Sequence, residues 1–124
     1  MFEISVKSEF CAAHTISIAG TQEPVHGHNW RVTAAVQAET LDEDGFVCDF
    51  HLVEAALNDI IAPFVNNDLN ATPPFDSLNP TAEHIAQHIG DQLAERLDDK
   101  LPKSARVAWV SITEAPGCVA TYRR

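Results

Sequence analysis

The sequence predicts an α+β fold of order ββααββ, an antiparallel sheet carrying two helices on one face. Three observations lead there. Apolar residues alternate with period 2 in two runs, 2–14 and 26–36, as in half-buried strands. Two stretches in the middle of the chain repeat apolar residues at steps of three and four, the stripe of an amphipathic helix. A β-branched, aromatic segment then closes the chain, so a strand pair at each end flanks a helical pair.

The first strand is read from Phe2, Ile4, Val6, Ser8, Phe10, Ala12 and His14, a nearly continuous apolar face that ends in a histidine. Residues 15–25 contain Gly20 and Pro24 and read as a connection without an element of its own. The second strand covers about 28–40, and if the chain is already extended at His26, then His26, His28, Trp30, Val32, Ala34 and Val36 share one face. After the acidic turn Asp42-Glu43-Asp44-Gly45, Asp49 is placed to cap a helix whose buried stripe is Val53, Leu57, Ile60 and Phe64. Pro63 and an Asn-rich segment end it, and residues 71–80 read as a surface loop. Asn79-Pro80 marks the second helix as N-cap and first helical residue, with Ile85, Ile89, Leu93 and Leu97 as its core stripe. His84 and His88, one turn apart, are assigned to the polar face of that helix and not to a metal. Strands over 105–114 and 118–123 meet at the turn Ala115-Pro116-Gly117.

At 124 residues the chain is expected to form one domain, 1–124, small enough that oligomerisation would help to cover its sheet. A net charge of -10 with eight Lys plus Arg argues against nucleic acid or an anionic membrane as partner. Three widely spaced cysteines, Cys11, Cys48 and Cys118, and a start that opens directly into a strand point to a reduced, cytoplasmic protein. No apolar run approaches the roughly 18 residues of a membrane span.

If the first two strands pair antiparallel, His14, His26 and His28 gather at one end of the sheet on one face. A set of three imidazoles favours zinc over calcium or magnesium, although copper, nickel and iron also accept such donors. Three protein ligands leave a fourth tetrahedral position for a substrate oxygen, which distinguishes a catalytic site from a structural one. Gly27 between the paired histidines would permit close backbone approach.

With Phe10-Cys11-Ala12-Ala13-His14, His26-Gly27-His28, Asp49-Phe50, Asn79-Pro80-Thr81-Ala82-Glu83 and Glu114 in this order, the chain resembles the 6-pyruvoyl-tetrahydropterin synthase and 6-carboxytetrahydropterin synthase family. The resemblance spans nearly the whole sequence. It implies the tunnelling fold (T-fold), with ββααββ subunits closing trimeric barrels that stack into hexamers and pterin sites between subunits. It also implies Zn2+ at His14, His26 and His28, and Glu114 as the substrate-binding carboxylate, able to accept two N–H bonds from a pterin's amino group and ring nitrogen.

The departures from the family pattern are specific. The positions of the usual catalytic cysteine hold Gln22 or Gly20, and the segment that normally carries a proton-relay Asp-His pair has Val65 and Asn66. None of these side chains can act as a thiolate or shuttle a proton. Cys11 has odd parity in its strand and should face away from His14. Glu23, three residues before His26, is the candidate catalytic residue, since some family members resemble it in using a glutamate near this place and are associated with cleaving the dihydroneopterin side chain. Asp68 and His51 are weaker candidates.

These residues suggest a zinc-dependent enzyme performing carbon-carbon lyase chemistry on the side chain of a reduced pterin, dihydroneopterin or its triphosphate. The chain shows no basic cluster to receive a polyanion, which disfavours triphosphate elimination. The alternative is a catalytically degenerate, zinc-containing pterin- or purine-binding oligomer.

Overall fold

A computed structural model describes all 124 residues. The long strands β1 (Phe2–His14) and β4 (His26–Ala38) pair antiparallel along their whole length, from Phe2 opposite Ala38 to His14 opposite His26. Two short strands, β2 (Ser17–Ile18) and β3 (Thr21–Gln22), make a separate hairpin between them. Helix α1 (Phe50–Ile61) is followed by β5 (Asn67–Asp68), helix α2 (Ala82–Leu97), and strands β6 (Ala105–Ala115) and β7 (Cys118–Arg123). The main sheet has the order β5-β1-β4-β6-β7.

Alternation decides which face is buried. Trp30, Val32, Ala34 and Val36 of β4, with Val110 and Ile112 of β6, meet Val53, Leu57 and Ile60 of α1 and Ile85, Ile89, Leu93 and Leu97 of α2 in one core. The helix stripes therefore fall where the spacing puts them, except that Phe64, though buried, lies in a 3-10 turn over Ala62–Phe64 beyond the end of α1. Asp49 caps α1 as expected, its carboxylate accepting from the backbone N–H of His51 at 2.8 Å. On α2, Gly90 passes under the Tyr122 ring, where an added Cβ would lie 2.8 Å from a ring carbon. Only a glycine permits that approach without moving the ring.

Several local expectations are corrected. The 15–25 connection contains the β2–β3 hairpin, because residues with φ of 50° and 82° at Ala19 and Gly20 reverse the chain tightly. Strand β4 begins two residues earlier than about 28 and stops at Ala38. β5 adds to β1 in parallel, so the sheet is mixed. Helix α2 starts at Ala82 with Thr81, not Asn79, as its cap: the Thr81 hydroxyl accepts from the His84 N–H at 3.1 Å, while the Asn79 side chain is engaged elsewhere. Residues 71–80 are more than a surface loop, since Phe75 is buried against Phe64.

The helix histidines also differ from expectation. Both are half-buried: the His84 Nδ1–H donates to the Asn79 carbonyl at 2.7 Å, and His88 packs edge-on against Phe64 and Phe75. Burial pushes the His88 imidazole below its ordinary value, with Asp91 pulling the other way. The unfolded chain therefore binds this proton more readily. His88 contributes its full stabilisation above the unfolded pKa of about 6.5 and loses it as pH falls through the folded value. In urea titrations between pH 7 and pH 5, His88→Met is expected to lose less stability than the wild type; an unchanged pH slope would contradict this.

Candidate metal centre

The antiparallel register brings the three predicted histidines together. His14 ends β1 opposite His26, which opens β4, and His28 lies two residues on along the same face. Their ring centroids are 4.6–5.1 Å apart, and the indole of Trp30 forms the floor, 4.8 Å from His14 and 5.1 Å from His28. Gly27 is not required for close approach, because a Cβ there would meet only the Ala12 carbonyl at 3.9 Å.

Glu114 joins the cluster from β6. Between Thr113 and Ala115 the register against β7 shifts, so Glu114 is the extra residue of a bulge with no partner opposite it. Its even position also puts it on the face of Val110 and Ile112. One carboxylate oxygen lies 3.3 Å from His14 Nε2 and 3.5 Å from His28 Nε2. The four ligand atoms of His14, His26, His28 and Glu114 all fall within 4.8 Å of one another.

The hydrogen bonds settle which ring nitrogens face inward. A carbonyl only accepts, so His14 Nδ1–H donates to Pro80 O and His26 Nδ1–H donates to Pro24 O, each at 2.9 Å. In the neutral rings both Nε2 atoms then carry lone pairs, yet they face each other at 3.0 Å. Two acceptors at that distance repel unless something positive stands between them. His28 Nε2 is buried without a hydrogen-bond partner, its distance to Glu114 lacking hydrogen-bond geometry. His14 is fully buried, and burial pushes its imidazole below the ordinary value despite the bond to Pro80, which favours the neutral, ligating form. A tetrahedral zinc with bonds of about 2.0–2.1 Å separates its ligand atoms by about 3.3 Å, close to the 3.0 Å between the His14 and His26 Nε2 atoms, and the donor set suits it. The backbone-oriented Nδ1–H groups complete the usual outer shell of a metal-binding histidine.

The other predicted residues lie apart from these four. Glu23 follows the β2–β3 hairpin, half-buried, its N–H donating to Ile16 O at 3.0 Å. The Cys11 thiol points to the opposite sheet face and donates to Asn29 Oδ1 at 2.9 Å. His51 is exposed beside Asp49, and Asp68 accepts from the Asn70 N–H at 3.0 Å. Asn66, with φ of 57°, donates its N–H to Cys11 O at 2.7 Å. Sequence reasoning misses the Pro24 and Pro80 carbonyls that orient the rings, because no residue type signals a backbone acceptor.

The profile of the 6-pyruvoyl tetrahydropterin synthase family matches residues 3–124. The chain belongs to that family. It is 29% identical over 125 residues to the 6-carboxy-5,6,7,8-tetrahydropterin synthase of Bacillus subtilis, covering 98% of this chain and 85% of that protein. It is 32% identical over 93 residues to an Archaeoglobus fulgidus protein provisionally given the same name, covering 75% and 76% of the two. The fold is that of the solved 6-pyruvoyl tetrahydropterin synthases, the T-fold: the Caenorhabditis elegans structure superposes with a TM-score of 0.84 at 18% identity, covering 99% of this chain and 95% of that one. The Plasmodium falciparum structure gives 0.82 at 24% identity, with 99% and 97% covered. This is a family of pterin-processing enzymes, and no helix of this member is long and apolar enough to cross a membrane.

Proposed function

We propose that this family member is a zinc-dependent enzyme that cleaves a carbon-carbon bond in the side chain of a reduced pterin, with dihydroneopterin as the favoured substrate. The observation that carries the reading is the opposition of the His14 and His26 Nε2 lone pairs at 3.0 Å beside the orphaned His28 Nε2. His14, His26 and His28 would hold the zinc, which when bound supplies Lewis-acid polarisation of a substrate oxygen. Glu114, one oxygen 3.5 Å from His28, accepts N–H or O–H bonds from the pterin and orients it beside the imidazoles.

Glu23 is the base. Its carboxylate takes the proton of a side-chain hydroxyl; as the carbonyl forms, the neighbouring carbon-carbon bond breaks and the carbon next to the ring is protonated. This needs neither the thiol absent at Gln22 and Gly20 nor the relay absent at Val65 and Asn66. A related enzyme supports the choice of residue type: in the Plasmodium vivax 6-pyruvoyltetrahydropterin synthase, the replacement of a glutamate by alanine is described as a catalytic residue mutant.

A homotrimer, or a hexamer of two trimers, is what the family resemblance implies for the assembly, and the open sheet edges support pairing between chains. β5 covers only Ala12 and Ala13, which leaves the rest of the β1 edge open, and β7 is the other edge. Long open edges are templates for pairing with another chain.

Protein whose zinc content has been verified by elemental analysis, incubated with dihydroneopterin, its triphosphate and sepiapterin, tests the reading by fluorescence chromatography. Turnover of dihydroneopterin to a shortened side chain is expected, and Glu23→Gln should lower kcat by about 100-fold or more. Tight binding of all three without turnover would instead identify a catalytically degenerate pterin-binding oligomer. A wild-type rate in the Gln variant would remove Glu23 from the mechanism.

A further inference from the structure

We infer that Asn79 is a positioning residue for the imidazole cluster, fixing through one side chain the two backbone carbonyls that orient His14 and His26. The inference rests on the metal-binding reading above. Its side-chain oxygen accepts from the Ser17 N–H at 2.9 Å, and its amide N–H donates to the Ser17 carbonyl at 3.0 Å. Beyond His14 the chain has left the main sheet, so its peptide groups need other partners. An asparagine amide offers the same donor and acceptor as a strand peptide. Asn70 does likewise two residues earlier, with its oxygen 2.8 Å from the Thr15 N–H and its amide nitrogen 3.0 Å from the Thr15 carbonyl. The pair prolongs β1 by side chains alone.

What sets Asn79 apart is its neighbours. The next residue, Pro80, supplies the carbonyl that receives His14 Nδ1–H at 2.9 Å. The Asn79 carbonyl is itself held by His84 Nδ1–H at 2.7 Å and by the Thr81 N–H at 2.8 Å, so this peptide segment is fixed from both sides. On the other side of the clamp, Ser17 pairs with Gln22 in the β2–β3 hairpin, and the Glu23 N–H bonds Ile16 O at 3.0 Å. One residue further, Pro24 presents the carbonyl that receives His26 Nδ1–H at 2.9 Å. Asn79 therefore locks the start of α2 to the hairpin, and each partner carries the acceptor for one ring.

The test compares zinc affinity, by competition against a chromophoric chelator, and the visible spectrum of the cobalt(II)-loaded protein. Loss of an outer-shell partner typically costs 10–100-fold in metal affinity. Asn79→Ala acts one step further out, so a loss of about 10-fold is expected, with altered cobalt bands. Asn79→Asp, which keeps the acceptor for the Ser17 N–H but turns a second oxygen on the Ser17 carbonyl, gives a second variant should the alanine fold poorly, with the same direction expected. Asn67→Ala is the control: at the start of β5, its side-chain amide donates to Pro63 O at 2.8 Å and bonds neither of the two carbonyls. It should leave affinity and spectrum unchanged. Wild-type affinity and an unaltered cobalt spectrum in both Asn79 variants would overturn the inference. A wild-type chain that binds neither metal would overturn the metal reading itself, and the inference with it.

Discussion

His14→Ala should reduce zinc affinity by at least about 100-fold, beyond the usual loss for outer-shell partners, while leaving the protein folded. Replacing this fully buried ring removes one of three nitrogen donors and leaves the Pro80 carbonyl without its N–H partner. An orphaned buried acceptor costs about 1–3 kcal/mol, a visible fraction of a small domain's stability but not all of it. The core between the helices and the sheet does not pass through the ring, so the far-ultraviolet signal should survive both this substitution and chelation. Chelator competition and circular dichroism on the same samples check both halves. Near wild-type affinity would mean that the imidazoles do not act together.

Trp30→Ala should have the largest effect on stability, about 3–5 kcal/mol, the usual range for truncating a buried aromatic residue. Trp30 is completely buried, stacked at 14° on Phe10 with centroids 6.2 Å apart, and its indole N–H donates to the Ala12 carbonyl at 3.1 Å. Two of the three histidines rest on it edge-on, so the cavity would open under the site. Metal affinity should fall along with stability. Trp30→Phe separates the contributions: most of the packing remains, only the Ala12 carbonyl loses its donor, and the cost should be about 1–3 kcal/mol. Urea unfolding at pH 7 measures both, and equal losses in the two variants would contradict the packing argument.

Strand parity makes much of this site legible in the sequence. Even numbering from Phe2 to His14 and from His26 to Val36, with antiparallel pairing, is enough to place three rings at one end of one face, and the helix stripes through Leu57 and Ile89 follow from spacing alone. Long-range contacts are not legible in this way. Asn79 has the type of a helix cap and a proline after it, yet Ser17, sixty-two residues earlier, claims its side chain and leaves the cap to Thr81. His88 falls at a polar-face position because local sequence does not reveal that Phe75, in an apparent loop, folds in to cover it. Glu114 is singled out by the family resemblance, and its parity with Val110 and Ile112 could also have placed it on the histidine face. The bulge that leaves it unpaired arises from the register of two strands and has no signature in either.

X-ray absorption of the zinc-loaded protein tests the central claim most directly. One zinc per chain is expected, with three imidazole nitrogens at about 2.0–2.1 Å, their ring scattering resolved, and oxygen completing the shell. A sulfur scatterer at about 2.3 Å, or a shell without imidazole scattering, would contradict it.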